Sequence, residues 1–150
     1  MKSQLMIFLT ELYPLVAAVV AMLVSQILKT IIYALKKETV ELKTIGSTGG
    51  MPSSHSALVG ALSTAVGLKD GWTSTTFCIC VAFSLVVLYD AAGVRRAVGK
   101  QAKILNQMIE EVMKTGQFKS GRLYELLGHT PLEVIVGTLL GIGIGFTLYY

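Results

Sequence analysis

The chain has 150 residues, of which 53% are hydrophobic and only 15% are charged, and its mean hydropathy is +0.64. This length predicts one domain, residues 1–150. The composition is too apolar for an ordinary soluble domain, which excludes most soluble enzyme and nucleic-acid-binding classes. We therefore expect membrane lipids, and no nucleic acid, as partners.

Four apolar segments are long enough, or nearly long enough, to cross a bilayer, which takes about 20 residues. They are residues 8–28, 56–69, 75–92 and 131–150. The first is too long for a cleavable signal peptide, and no small-residue cleavage pattern follows it. The segments predict an all-α polytopic membrane bundle with four transmembrane helices.

Capping and turn residues place the ends of the predicted helices. The first helix covers about residues 11–37, and Pro52 and Ser53 start the second. A turn at residues 69–72 leads to the third, at about 77–89. Thr130 and Pro131 start the last helix, whose Gly137, Gly141 and Gly145 predict close helix packing.

Two further features are a segment between the third and fourth predicted spans and a pair of cysteines within the third. Residues 97–115 alternate apolar and charged faces, which predicts an amphipathic helix within an insertion at about 97–128. This helix should lie on the membrane surface or cover the site. Cys78 and Cys80 lie two apart in an apolar run, so we expect two small core residues and neither a disulfide nor a metal site.

Positive charge is concentrated on one side of the predicted bundle. Eleven of the thirteen Lys and Arg residues fall in or next to the two long inter-helix segments, whereas Lys2 and Lys69 belong to the other side. The positive-inside rule then predicts cytoplasmic long segments and termini outside.

The same topology brings polar residues together, because the first and third helices end where the second and fourth begin. Charged residues at membrane level are costly and usually functional. Helix N-termini and cations bind anions, and two histidines offer a nucleophile and a proton donor. Asp90 and Glu133 are separate, so we expect no metal and no other cofactor. The four clusters are Lys29 with Lys36, Ser53 to His55, Asp90 with Arg95, and His129 to Glu133.

These residues resemble the divergent membrane branch of the type 2 phosphatidic acid phosphatase and vanadium haloperoxidase superfamily. Residues 51–55, Met-Pro-Ser-Ser-His, are similar to its Pro-Ser-Gly-His motif. His129-x-x-x-Glu133 is similar to its His-x-x-x-Asp ending, and Lys29-x6-Lys36 has the spacing of its first motif. The resemblance covers most of the chain from Lys29 onward.

The resemblance implies a lipid phosphatase that needs no metal, with phosphatidate-like or prenyl phosphate and diphosphate lipids as candidate substrates. His129 would be the nucleophile, forming a phosphohistidine, Glu133 would hold its ring, and His55 would protonate the leaving alkoxide. The phosphate-binding residues would be Lys29, Lys36, Ser53, Ser54 and Arg95, with Asp90, Arg96 and Arg122 as further candidates.

Several of these residues also have structural interpretations. Thr130 to Glu133 forms a capping-box pattern, which can coexist with a role for Glu133 beside His129. Ser53 can act as a helix cap, and Lys36 as an interface anchor. Asp90 can pair with Arg95 or Arg96 instead of touching substrate.

Two other function classes fit the same pattern. Ser54 stands where the family has glycine, Glu133 where it has Asp, and Lys36 where it has Arg. These departures favour a non-catalytic membrane protein that binds anionic lipid phosphates. A transporter or scaffold for a lipid phosphate is the other class, and a homodimer fits any of the three.

Overall fold

The computed structural model describes residues 2–35, 50–114 and 129–149, and all regular structure within them is helical. This confirms the predicted all-α class. The elements are α1 (Lys2–Leu35), α2 (Ser54–Asp70), α3 (Thr75–Tyr89), a π-helical segment (Asp90–Val94), α4 (Arg95–Lys114) and α5 (Pro131–Thr147).

Two helix boundaries differ from the predicted ones. The helix α1 begins at Lys2 and not at residue 11. Residues 2–13 contain no glycine or proline that would interrupt a helix, and Pro14 is accommodated inside it. The helix α3 does not end at Tyr89 in a loop, because the π-helical segment continues it into α4. Such segments insert an extra residue into the helical turn without breaking the helix, so no sequence break marks them.

In the part of the chain that the structure describes, two helices are long and apolar enough to cross a membrane, within residues Thr10–Leu35 and Thr75–Gly93. The helix α5 is apolar but shorter. The helix α2 lies in the centre and packs against α1, α3 and α5. Because α2 is surrounded by protein, it does not need the uniformly apolar surface of a lipid-facing helix.

Small residues line the contacts between α2 and its neighbours. The buried face of α1 carries Ala17, Ala21 and Ser25, four residues apart. On α5, a Cβ added to Gly141 would collide with the carbonyl oxygen of Ala57 in α2. A Cβ at Gly137 would collide with the carbonyl oxygen of Ser53, and one at Gly145 with the side chain of Thr64. The packing interpretation of the α5 glycines is therefore confirmed, and it matches how small residues let helix backbones approach.

Aromatic and charged contacts stabilise the end of the bundle that contains the α2–α3 turn. Lys69 forms an ion pair with Glu11 and also donates to the Glu11 carbonyl, at 3.1 Å. Trp72 packs edge-on against Phe77, with ring centroids 5.2 Å apart, and lies beside Phe146. Gly71 turns the chain there with a φ of 95°. Lys69 thus lies at this end of the bundle, as the charge distribution predicted.

The cysteine prediction is wrong about burial. Cys78 is exposed and Cys80 is only partly buried, and neither is in a disulfide. The helix α3 contacts α2 through Ser84, whose hydroxyl lies 2.8 Å from that of Ser63. Since α3 is apolar on every side, the sequence pattern does not reveal which side faces the protein.

The glycine packing yields a matched pair of variants. We expect Gly141→Ala to destabilise the protein by about 1–3 kcal/mol, because the added methyl group overpacks the contact with Ala57. Gly143→Ala should not destabilise the protein, since nothing lies within 4 Å of its Cβ position and alanine favours a helix over glycine. Thermal unfolding in detergent, followed by Trp72 fluorescence, compares the two. Equal midpoints would contradict the packing account.

Candidate functional site

Four chain segments meet at the end of the bundle opposite Lys69, as the topology predicts. Each junction is fixed by a hydrogen bond to a backbone carbonyl, and two of the three bonds join backbone groups only. The three bonds run from Ser25 Oγ to Pro52 O (3.1 Å), from Ser53 N to Glu133 O (3.2 Å) and from His129 N to Ala91 O (3.2 Å).

His129 and Glu133 form the centre of this end. His129 is completely buried, and its Nδ1 lies 3.2 Å from Oε2 of Glu133. The same Oε2 accepts the backbone N–H of Thr130 at 2.9 Å, while the Thr130 hydroxyl accepts the N–H of Glu133. The capping box and the histidine contact therefore coexist and share one carboxylate oxygen.

This geometry determines which nitrogen of His129 carries the lone pair. An ionised carboxylate only accepts hydrogen bonds, so Nδ1 must donate its proton to Glu133. In the neutral ring the lone pair is then on Nε2. Within residues 2–35, 50–114 and 129–149, Nε2 is buried and has no hydrogen-bond partner. The ring is thus held in one orientation, with the lone pair of Nε2 unused among the described residues.

The surroundings favour the neutral form of His129. Burial is the largest effect and lowers the pKa of the imidazole, because the charged form loses its hydration. The positive charges of Lys29 and His55 lower this pKa further, whereas Glu133 raises it through the hydrogen bond and its charge. Lys29, His55 and Glu133 therefore all lie within electrostatic range of His129.

Lys29 is buried to the same degree as the core alanines, with 1% of its surface exposed. It follows Ser25 by one helical turn and so lies on the buried face of α1. Its charge interacts with that of Glu133. A lysine in this position is held among the charged groups of the site and is not an interface anchor.

Ser53 caps α2 and is completely buried. Its hydroxyl accepts hydrogen bonds from the hydroxyl of Ser56 at 2.9 Å and from the Ser56 N–H at 3.4 Å. The backbone N–H of Ser53 is used in the contact with Glu133. Ser54 is the first residue of α2, where backbone N–H groups have no partner within the helix.

The remaining predicted site residues are placed only in part. His55 lies in the first turn of α2, and Asp90 opens the π-helical segment next to Ala91. Lys36 and Arg122 lie outside the described residues, as do the side chains of Arg95 and Arg96.

Ser25, Ser56 and Tyr33 belong to this end of the bundle and were missed in the sequence. Ser25 supports the start of α2, and Tyr33, one turn beyond Lys29, lies against Gly50. For Ser25 and Tyr33 the sequence signal was their four-residue spacing from Lys29 along one face of an apolar helix. The role of the Ala91 carbonyl could not be seen in the sequence, because every residue has a backbone carbonyl.

No three His, Cys, Asp or Glu side chains come together as a metal-binding group in the part of the chain that the structure describes. The donors near His129 are a single carboxylate and a second histidine.

A model of the Divergent PAP2 family matches residues 10–144. The chain belongs to the Divergent PAP2 family. This confirms the resemblance to the divergent branch of the type 2 phosphatidic acid phosphatases. No solved structure matches the chain.

This member of the Divergent PAP2 family is also similar to a named protein of Bacillus subtilis (strain 168), "Uncharacterized membrane protein YuiD". The two are 38% identical over 149 residues, which cover 92% of this chain and 94% of the relative. The relative's name and the two apolar helices of this chain together support a membrane protein.

The electrostatics predict two opposite changes in the titration of His129. We expect its pKa to lie below the ordinary value of about 6.5, to rise in Lys29→Met and to fall in Glu133→Gln. The first variant removes a repelling cation, and the second removes the negative charge that favours the protonated ring. NMR of labelled histidine in detergent measures both, with His55→Gln assigning the two resonances.

The same titration tests whether the four groups share one site. A His129 pKa that does not respond to either variant would show that Lys29 and Glu133 do not act on its ring.

Proposed function

We propose that the protein is a membrane lipid phosphatase or phosphotransferase that needs no metal and works through a phosphohistidine. The observation that carries the proposal is the state of His129: its Nδ1 is held by Glu133, and its buried Nε2 has no partner among the described residues. A nucleophilic histidine needs this combination of fixed orientation and free lone pair.

In the first step, Nε2 of His129 attacks the phosphorus of the lipid phosphate. The N–P bond forms as the P–O bond to the lipid breaks, and the electron pair of that bond stays on the lipid oxygen. His55, as the imidazolium, gives this oxygen its proton. Glu133 stabilises the positive charge that develops on the His129 ring.

In the second step, water attacks the phosphohistidine and His55 accepts the water proton. The N–P bond breaks, inorganic phosphate leaves, and His129 regains its lone pair. An alcohol in place of water gives phosphotransfer to that alcohol. One histidine thus serves as acid in the first step and as base in the second.

The phosphate oxygens require positive charge and donors throughout both steps. Lys29 is the cation that lies among these groups, and Ser53 and Ser54 are at the N-terminus of α2, where an anion is favoured. We assign Lys36 and Arg95 to the same task, with Asp90, Arg96 and Arg122 as further candidates at the edge of the site.

The substrate is a phosphomonoester or diphosphate on a lipid. Two helices are long and apolar enough to span, and the site lies at one end of the bundle, where headgroups are found. We propose one domain over residues 1–150, with an insertion at 97–128 and α2 and α5 completing four spans. We place it in a bacterial plasma membrane with the site on the cytoplasmic side.

Burial favours a second candidate function. His129 has no exposed surface, and the N–H of Ser53 serves a helix contact and not an anion. A site closed in this way also suits a membrane protein that holds or moves an anionic lipid phosphate without turnover.

The first test is phosphate release from a panel of lipid phosphates in detergent, with EDTA present. We expect release by the wild type and a loss of at least about 10⁴-fold in His129→Gln, because removing a nucleophile leaves little covalent catalysis. Equal release by both proteins would exclude His129 as nucleophile. Saturable binding of the lipid without release would favour the second candidate.

The role of His55 predicts a dependence on the leaving group. We expect His55→Gln to slow the release of phosphate from a lipid alkyl phosphate by about 10²–10⁴-fold, which is the usual contribution of an acid catalyst. Formation of p-nitrophenolate from p-nitrophenyl phosphate in the first turnover should be much less affected, since the phenolate leaves without a proton and before His55 acts as base. Equal losses in the first turnover of both substrates would indicate a structural role for His55 instead of proton donation.

A further inference from the structure

The helix α4 has two faces of opposite character along its length. Its exposed polar face carries Lys103, Gln107, Glu110 and Lys114, three or four residues apart. On the other side, Val98, Leu105, Met108 and Val112 form an apolar stripe. A helix with this division is typical of interfaces between water and an apolar phase.

The apolar stripe is not the side by which α4 contacts the protein. Its four members are 44–56% exposed. Among the residues of α4 whose side chains are described, Gly99 and Asn106 are the buried ones, and they are seven apart on the edge between the two faces. The packing of the described residues therefore leaves these four side chains exposed.

The position of α4 in the chain identifies what the stripe contacts. Only Val94 separates the candidate span Thr75–Gly93 from the start of α4 at Arg95. The chain thus enters α4 where it leaves the apolar part of the bilayer. A stripe of exposed apolar side chains at that depth loses its contact with water by lying in the membrane interface.

We propose that α4 binds the surface of the bilayer, with Val98, Leu105, Met108 and Val112 inserted at the level of the upper acyl chains. Its lysines and glutamates face the water above. The binding surface is built into the chain and needs no partner protein.

This contact has a consequence for the site, which rests on the proposed function. The π-helical segment that precedes α4 accepts the backbone N–H of His129 through the carbonyl of Ala91. A helix fixed in the interface therefore fixes the depth of His129 at the same level. That level is the one at which lipid phosphate groups lie.

The test uses the full-length protein with Cys78 and Cys80 replaced by Ser, reconstituted in phosphatidylcholine and phosphatidylglycerol vesicles. A single cysteine at Leu105 or at Gln107 carries an environment-sensitive fluorophore. The two positions are in the same helix but on opposite faces. Spin-labelled lipids quench from the membrane, and iodide quenches from the water. Labels at Val112 and Lys114 repeat the comparison about two helical turns further along.

We expect spin-labelled lipid to quench the Leu105 label several-fold more than the Gln107 label, and iodide to give the reverse order. Equal access of iodide to both labels would overturn the proposal. So would cross-linking between Leu105 cysteines of two chains combined with protection from lipid quenching, because a second copy would then cover the stripe. Neither readout uses phosphatase activity, so failure here and failure of the proposed function are distinguishable.

Discussion

The backbones of α2 and α5 approach so closely that side chains larger than hydrogen do not fit at Gly137 and Gly141. This contact brings the first residues of both helices together, and the N–H of Ser53 reaches the carbonyl of Glu133 as a result. His55 and His129 are each within a few residues of that bond. The distance between the two histidines is thus set by glycine packing along the helices and not by the loops that connect them.

The carboxylate of Glu133 explains how the chain tolerates a buried positive charge. Lys29 is almost fully buried, and an isolated ammonium group there would be costly. The charge of Glu133 offsets part of this cost, and the same carboxylate receives the N–H of Thr130 and the ring of His129. One carboxylate therefore serves the helix cap, the histidine and the lysine. Losing the side chain would affect both stability and the site, whereas Glu133→Gln keeps an oxygen for the cap and removes only the charge.

Much of this arrangement could be predicted from the sequence, because it depends on local signals. Ser53 and Thr130 cap their helices as their residue types indicate, and the antiparallel order of apolar segments brings their ends together. The continuity of α3 into α4 could not be predicted, since a π-helical segment has no distinctive composition. The side of α3 that faces the protein was also hidden, because an apolar helix gives no periodic pattern, and Cys78 was misplaced for that reason.

The central claim is that Nε2 of His129 becomes covalently bonded to phosphorus. The most direct measurement mixes the protein with a radiolabelled lipid phosphate, stops the reaction in alkali, which preserves phosphohistidine, and maps the labelled peptide. The account predicts label on His129 at Nε2 and none in His129→Gln. Label on Ser53 or His55 instead, or phosphate release that continues in His129→Gln, would contradict it.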